Sequence, residues 1–375
     1  MNARKLLHKL HLYFGLILGV FFMLLAITGS ILVFYPEVDL LLHPEIRVQQ
    51  QSQKAIQRNT PSISNQSILE RLRERYPNLK EGWRLEMPLD DEYPIFARYL
   101  TPDKASRELF APLVVSINPH TLEITSARIW GQYFVTWIFD LHYQLLMGDI
   151  GKSIVAILGI LLTINLLIGV YLWCPRSLNA WRHALVYKKN AHLIRRNYDT
   201  HKLSGLIGLV LISVIAVTGA MLGRPDWFNP AIHRFSEIDN YSPPQSEVKN
   251  LPTISVDTAV AIAKAKYPKA ELRWIYTPNS ANDYYQIRMH QSEEPGRRFP
   301  KTILWINQYS GEIIFIRKPE LFTIGNTILA WIHPLHNGEA FGLLGKLLAV
   351  LSGIIITILV WTGLKRAIYK VQIKR

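Results

Sequence analysis

Trp137-Ile-Phe-Asp-Leu-His142-Tyr-Gln-Leu-Leu-Met-Gly-Asp-Ile-Gly151-Lys152 has a second copy downstream, Trp331-Ile-His-Pro-Leu-His336-Asn-Gly-Glu-Ala-Phe-Gly-Leu-Leu-Gly345-Lys346. In both copies the Trp lies 5 positions before the aligned His, His142 or His336, and Gly-Lys begins 9 positions after it. The correspondence continues without a gap, Gly159 with Gly353 and Gly169 with Gly363. Each copy runs into an apolar stretch long enough to span a bilayer. A repeated His at a membrane boundary is the feature to be explained.

Outward from this pair, four apolar runs stand out: Leu10–Phe34, Ile154–Trp173, Leu203–Leu222 and Leu343–Leu364. Each reaches the roughly 20 residues a helix needs to cross about 30 Å of hydrocarbon. Apart from Lys346 in the first turn of the fourth, none contains Asp, Glu, Lys or Arg, and a helix keeps its backbone groups paired in lipid. The first run also has a downstream copy. His11-Leu-Tyr-Phe-Gly15 corresponds to His201-Lys-Leu-Ser-Gly205, and His to Thr-Gly is 17 positions in both. That copy, and the length of the run, favour a retained span over a cleaved signal peptide.

The chain has 375 residues, 49% of them hydrophobic, and a net charge of +14. The charge is concentrated. Arg4, Lys5 and Lys9 carry +3, the 174–202 stretch carries +6, and the tail from Lys365 carries +5, which together account for the whole excess. The positive-inside bias then places the N-terminus, the middle loop and the tail in the cytoplasm. The basic character is thus topology, and nucleic acid is not an expected partner. The one cysteine, Cys174, excludes a disulfide within the chain, and no CxxCH is present for covalent haem attachment.

The expected order is a transmembrane helix at 1–35, an outside domain at 36–132, an interfacial helix and second span at 133–173, a cytoplasmic loop at 174–200, a third span at 201–222, a second outside domain at 223–326, an interfacial segment and fourth span at 327–364, and a cytoplasmic tail at 365–375. After a polar linker at 49–65, Gln66–Tyr76 has Ile68, Leu69 and Leu72 on one helical face and stops at Pro77. Strand-like runs follow at Trp83–Met87, Pro94–Leu100, Leu113–Ile117 and Leu122–Ser126, the last after a turn at Asn118. The second outside domain repeats this order, with a helix at Val256–Tyr267 and strands at Leu272–Tyr276, Tyr284–His290, Thr302–Ile306 and Ile313–Ile316. Gly148-Asp-Ile-Gly151 is expected to loosen the backbone before the second span. The fold class is therefore a four-helix membrane bundle of two parallel repeats, each with an inserted α+β domain.

Four His residues occupy duplicated positions: His11 with His201, and His142 with His336. Topology puts the first pair near the cytoplasmic face and the second near the outer face. In a pseudo-symmetric bundle equivalent residues face each other, so each pair can hold one iron from both sides. Haem b, apolar and bound by axial His ligands, suits such sites. Lys152 and Lys346 on the outer side, and Lys9, Arg195, Arg196 and Lys202 on the inner side, are candidate partners for its propionates. His333 has Phe139 as its repeat equivalent; it is the alternative outer ligand or a substrate contact. A single interfacial His is ordinarily only a solvated side chain; the duplication is what argues otherwise. His8 reads as a helix-end cation, and Tyr13, Trp173 and Trp361 as interfacial anchors. No hydrolase or nucleotide-binding motif is present.

His11-x-x-x-Gly15 with Thr28-Gly29, Leu141-His142 followed by Gly151-Lys152, Tyr171-Leu-Trp-Cys-Pro-Arg176 and Leu335-His336-x-Gly338 resemble the PepSY-associated transmembrane family. The outside segments, with helices ending at Tyr76-Pro77 and Tyr267-Pro268, resemble PepSY modules. The resemblance covers nearly the whole chain and departs from the family pattern at Cys174, where a Trp is usual. It implies a bacterial inner-membrane protein with its PepSY domains in the periplasm, similar to dihaem ferric-siderophore reductases. On that reading two non-covalent haems carry electrons from a quinol or a cytoplasmic reductase to Fe(III) in a periplasmic chelate. The competing expectations are a non-redox protein binding or transporting iron chelates or haem, and a regulatory anchor whose PepSY modules restrain periplasmic proteases. No span is broken mid-membrane by Pro or charge, which speaks against a transporter.

Overall fold

The computed structural model describes residues 3–48, 63–100, 111–239 and 251–372. Most of the polar linker expected at 49–65 lies outside them. The helices, in chain order, are α1 (Ala3–Ile17), α2 (Gly19–Leu32), α3 (Tyr35–Leu42), α4 (Asn65–Arg75), α5 (Phe134–Gln144), α6 (Gly148–Trp173), α7 (Leu178–Ala184), α8 (Leu193–Gly223), α9 (Pro225–His233), α10 (Val256–Lys266), α11 (Ile324–His336) and α12 (Gly342–Gln372). The strands are β1 (Arg84–Glu86), β2 (Ile95–Tyr99), β3 (Leu113–Ile117), β4 (Ile124–Ile129), β5 (Glu271–Tyr276), β6 (Tyr284–His290), β7 (Thr302–Asn307) and β8 (Ile313–Arg317). The chain forms two compact units. One holds residues 1–35, 138–234 and 331–375; the other holds 36–137 and 235–330.

The first unit is a helix bundle. α6, α8 and α12 are each long and apolar enough to cross a membrane, and α1 with α2 does so as a bent pair. The chain is a multi-pass membrane protein. The first span differs from expectation: it bends by 55° at Leu18 instead of running straight. No Pro or charge causes the bend. Gly19 begins the second segment, and a methyl there would lie 3.1 Å from Val360, so the break lets α2 settle closely on α12. α8 packs between α6 and α12, α2 against α12, and α1 against α6 and α12. Small residues permit the crossings, as usual where lipid offers no hydrophobic drive between helices. A Cβ on Gly159 would lie 2.7 Å from the Ala216 carbonyl oxygen, and one on Gly353 2.9 Å from that of Ala26. These are corresponding contacts in the two halves of the chain. α8 starts at Leu193, two turns before the expected His201; α7 lies in the expected cytoplasmic loop, and α9, expected in the second outside domain, belongs to the bundle unit.

The duplicated motif forms a corner in each half. A Cβ on Gly151 would collide with the Gln144 carbonyl, and one on Gly345 with that of Gly338. These glycines bring the helix that follows against the end of the helix that precedes. They tighten the corner, contrary to the expected loosening. Leu145 and Leu146 both take left-handed φ values, 49° and 57°, a conformation costly for a non-glycine residue.

The second unit is one eight-stranded antiparallel sheet among the described residues, ordered β4-β3-β2-β1-β5-β6-β7-β8. Two separate α+β domains were expected. Instead each four-stranded half leaves β1 or β5 as an open edge, and the two edges pair, Leu85 opposite Ile275. Pairing removes the two unpaired backbone edges that separate domains would expose. One face of the sheet carries Leu85, Ala97, Val115, Ile275, Ile287 and Leu304, all fully buried, under α4 and α10. The helices meet at their N-termini. Asp257 of α10 accepts from the Asn65 and Gln66 backbone N–H groups of α4 at 2.8 and 3.1 Å. The opposite face carries charge: Glu86 forms ion pairs with Arg84 and Arg98, each at 2.7 Å. The expected Asn turns are present. Asn118 Oδ1 accepts from the His120 N–H, and Asn307 Oδ1 from the Tyr309 N–H, both at 2.8 Å.

Candidate functional site

The bundle brings the four duplicated histidines together in the expected pairs. The rings of His11 and His201 have centroids 6.1 Å apart and planes at 83°. Those of His142 and His336 are also 6.1 Å apart, with planes at 43°. The levels are far apart along the bundle. His201 lies on α8, and His336 contacts Thr218, 17 residues further along that helix; at 1.5 Å per residue this is about 25 Å.

Each ring is held from behind by its own half of the chain. Thr28 Oγ1 lies 3.1 Å from His142 Nδ1, Thr218 Oγ1 3.2 Å from His336 Nδ1, and Thr362 Oγ1 2.9 Å from His201 Nδ1. Each Thr donates its single hydroxyl proton to the carbonyl four residues earlier on its helix, Leu24, Val214 or Ile358, at 2.6–2.8 Å. Each Thr oxygen therefore faces its histidine as an acceptor. His336 Nδ1 also donates to the Ile215 carbonyl at 3.0 Å, and His11 Nδ1 to the Asn165 carbonyl at 3.1 Å. All four rings are thereby held as the Nδ1–H tautomer, which leaves the lone pair on Nε2. None of the four Nε2 atoms makes a hydrogen bond among the described residues.

Two metal–nitrogen bonds of about 2.0–2.1 Å, plus roughly 1.1 Å from nitrogen to centroid on each side, require a centroid separation of about 6.3 Å. Both pairs meet this within a few tenths of an ångström. This spacing matches that of two imidazoles on either side of one metal ion. Among the described residues no cluster of three or more His, Cys, Asp or Glu offers a different kind of metal site.

Glycines set how closely the rings approach their helices. A Cβ on Gly29 or Gly219 would lie 2.8 Å from Cε1 of His142 or His336, and one on Gly169 3.0 Å from that of His11. Gly363 is less constrained, 3.7 Å from His201. Three of the four rings thus rest on a Thr-Gly dipeptide. The exception is His11, where Ile168 stands in the place of Thr362 and the Asn165 carbonyl takes over. The Asn165 side chain is buried, and its Oδ1 has no hydrogen-bond partner among the described residues.

A cavity of about 600 Å³ opens at the His11–His201 level, within the range of cofactor pockets. Leu12, Leu16, Phe22, Leu162, Leu166, Ile356, Leu359 and Val360 make its walls apolar, while Arg4, Lys5, Lys202 and Arg366 contribute cations. This revises the expected inner cations. Of Lys9, Arg195, Arg196 and Lys202, only Lys202 lines the cavity, and its ammonium is held by Asp199 at 3.0 Å and the Val186 carbonyl at 3.1 Å. Arg195 pairs with the same carboxylate at 3.1 Å. Arg4, Lys5 and Arg366 were missed, although helical spacing places Arg4, His8, His11 and Gly15 on one face of α1. His8, expected as a helix-end cation, and Trp173, expected as an anchor, line the cavity too. At the other level the Lys152 ammonium lies over the Tyr143 ring and that of Lys346 over the Phe34 ring, both at 5.4 Å. His333 sits three residues before His336 on α11, where its Nδ1 is 3.4 Å from the Asn337 amide nitrogen. His336, and not His333, is the ring opposite His142.

A search of curated proteins finds no match to the chain. The family model described as the PepSY-associated TM region matches residues 8–366, from the first turns of α1 to the last of α12. The match spans all four duplicated histidines and the sheet between them, so the chain belongs to the PepSY-associated TM family.

Proposed function

We propose that this chain is a dihaem b-type membrane oxidoreductase that passes electrons across the bacterial inner membrane to Fe(III) in a periplasmic chelate, a ferric siderophore. The observation that carries the reading is the orientation of the four imidazoles: each is fixed through Nδ1 and presents an Nε2 lone pair, and the rings face each other in two pairs 6.1 Å apart. His11 and His201 would hold one haem, and His142 and His336 the other. An apolar cavity with cationic side chains fits an apolar macrocycle that bears carboxylates. Arg4, Lys5 and Arg366 would hold those carboxylates at the first site; Lys152 and Lys346 would do so at the second. A bis-His haem supplies reversible one-electron transfer, at a potential set by its ligands and surroundings.

The protein's own contribution is orientation and insulation. Thr28, Thr218 and Thr362 fix ring tautomer and angle, and such outer hydrogen bonds commonly matter 10- to 100-fold for metal affinity. The glycine ledges set ring height, and the apolar walls exclude water. The reading takes the bundle as two parallel repeats with N- and C-termini in the cytoplasm and the sheet unit in the periplasm. The donor is a quinol or a cytoplasmic reductase. One-electron reduction of the substrate iron weakens the hold of its hard oxygen ligands and so releases it.

Absorption spectra of the purified protein, oxidised and dithionite-reduced, together with pyridine haemochrome analysis, test the proposal. Two non-covalent haems per chain are expected. Protein made with ample haem that carries none would overturn the reading and leave the iron-chelate carrier or the regulatory anchor in its place.

A further inference from the structure

Between α6 and α8 the chain makes a connection whose surface is hard to reconcile with water alone. Leu178 is 87% exposed, Leu193 61%, Leu185 51% and Trp181 42%. Solvated loops do not ordinarily keep a group of large apolar side chains outward. Here they cannot fold inward, because the backbone is tied down. Asp199, fully buried, accepts from the Lys188 N–H at 3.2 Å and binds Arg195 and Lys202, and the Lys202 ammonium also reaches the Val186 carbonyl. The tie is on α8, and the apolar part of α8 follows directly. The connection therefore lies where the hydrocarbon ends.

Cations alternate with these apolar side chains. Arg176, Arg182, Lys188, Lys189 and Arg196 are exposed, and none forms an ion pair with a carboxylate among the described residues. The only acidic residue between Cys174 and Lys202, Asp199 at the start of α8, is already engaged. A positive-inside loop needs the charges but not the outward Leu and Trp side chains. An acidic soluble partner would match the charges and leave the apolar groups unexplained. One chemistry matches both: a phosphate headgroup with acyl chains attached.

We propose that the α6–α8 connection is a binding site for anionic phospholipid. Arg182, Lys188 and Lys189 hold the phosphates, while Leu178, Trp181 and Leu185 enter the acyl boundary. This site is separate from the paired histidines and does not depend on what they hold.

The full-length protein in nanodiscs of equimolar phosphatidylglycerol and phosphatidylcholine, released into a native mass spectrometer, reads the retained lipid directly. The wild type is expected to keep phosphatidylglycerol in preference. Each cation near an anionic surface is worth roughly five-fold in affinity, so Arg182→Gln/Lys188→Gln/Lys189→Gln should lower that retention at least about ten-fold. An equal change of charge in the sheet unit, Lys80→Gln/Lys264→Gln/Lys269→Gln, should leave it unaltered. Leu178→Ser/Leu185→Ser should weaken retention several-fold, which a site for a soluble anion would not do. Unchanged Tm in pure phosphatidylcholine discs shows that each variant is folded. The proposal is overturned if the loop triple retains lipid as the wild type does, if the sheet-unit triple loses as much, or if millimolar glycerol 3-phosphate displaces the lipid completely.

Discussion

Replacing Gly219 by alanine would put a methyl carbon 2.8 Å from Cε1 of His336 and 3.4 Å from its Nδ1. Carbon atoms settle at about 3.5–4.0 Å, so the ring must retreat by most of an ångström. It cannot do so freely. Its Nδ1 is bonded to the Ile215 carbonyl at 3.0 Å and lies 3.2 Å from Thr218 Oγ1, both on the same face of α8. Overpacking of this kind costs about 1–3 kcal/mol. Expressed as ligand affinity at 1.4 kcal/mol per decade, that is about 5- to 150-fold at the His142–His336 site. The same substitution favours the helix by about 1 kcal/mol, so Tm should change little while the ring is displaced. Gly363→Ala is the matched control. Its methyl would meet His201 at 3.7 Å, an ordinary contact, and the His11–His201 site should be unaffected. Haem content and reduced-minus-oxidised spectra of the two purified variants give the comparison. Gly219→Ala should lose about half the haem, all of it from one spectral component, and Gly363→Ala should lose none. A Gly219→Ala protein with both components intact, or a Gly363→Ala protein that loses one, would refute the argument that these glycines set ring height.

His336→Ala should remove the same component as Gly219→Ala, while His333→Ala should leave both; the opposite result in the haem spectrum would make His333 the ligand. Ile168→Thr places beside His11 the hydroxyl that His201 receives from Thr362, and should shift the midpoint potential of the first-pair component alone in a spectrophotometric titration. Asp257→Ala removes the carboxylate that caps α4 from a neighbouring helix, and should destabilise the sheet unit by about 1–2 kcal/mol in denaturant unfolding. Burial raises the pKa of Glu86, but Arg98 and Arg84 outweigh it and hold the carboxyl below its ordinary value of 4.5. Its contribution to stability is therefore present above pH 4.5 and lost as pH falls through the lower folded-state value. Thermal unfolding of wild type and Glu86→Gln should differ at neutral pH and converge in acid; a constant difference would count against the pairing.

Much of this arrangement can be read from one dimension because the chain repeats itself. Duplication made the spans, the strand segments and the His pairs legible: residues at equal offsets in two copies occupy corresponding places, and apolar period and length identify helices and strands locally. The polar groups behind the rings were not legible. Thr28, Thr218 and Thr362 read as helix-interior threonines, and only packing shows that each has its proton committed to a carbonyl and turns its oxygen to a histidine. At His11, where Ile168 stands in the threonine's place, the ring is held by the Asn165 backbone carbonyl, to which a sequence pattern is blind. Pairing of β1 with β5 was likewise hidden, since edge strands carry no signal of which edge they will meet. The bend at Leu18 has no Pro or charge to announce it; it follows from how closely Gly19 approaches Val360. Period, length and charge bias are properties of a segment, so sequence alone determined the spans, the strands and the pairing of the histidines. Tautomer, edge choice and helix bend arise from contacts between segments distant in the chain, and tertiary structure alone decided them.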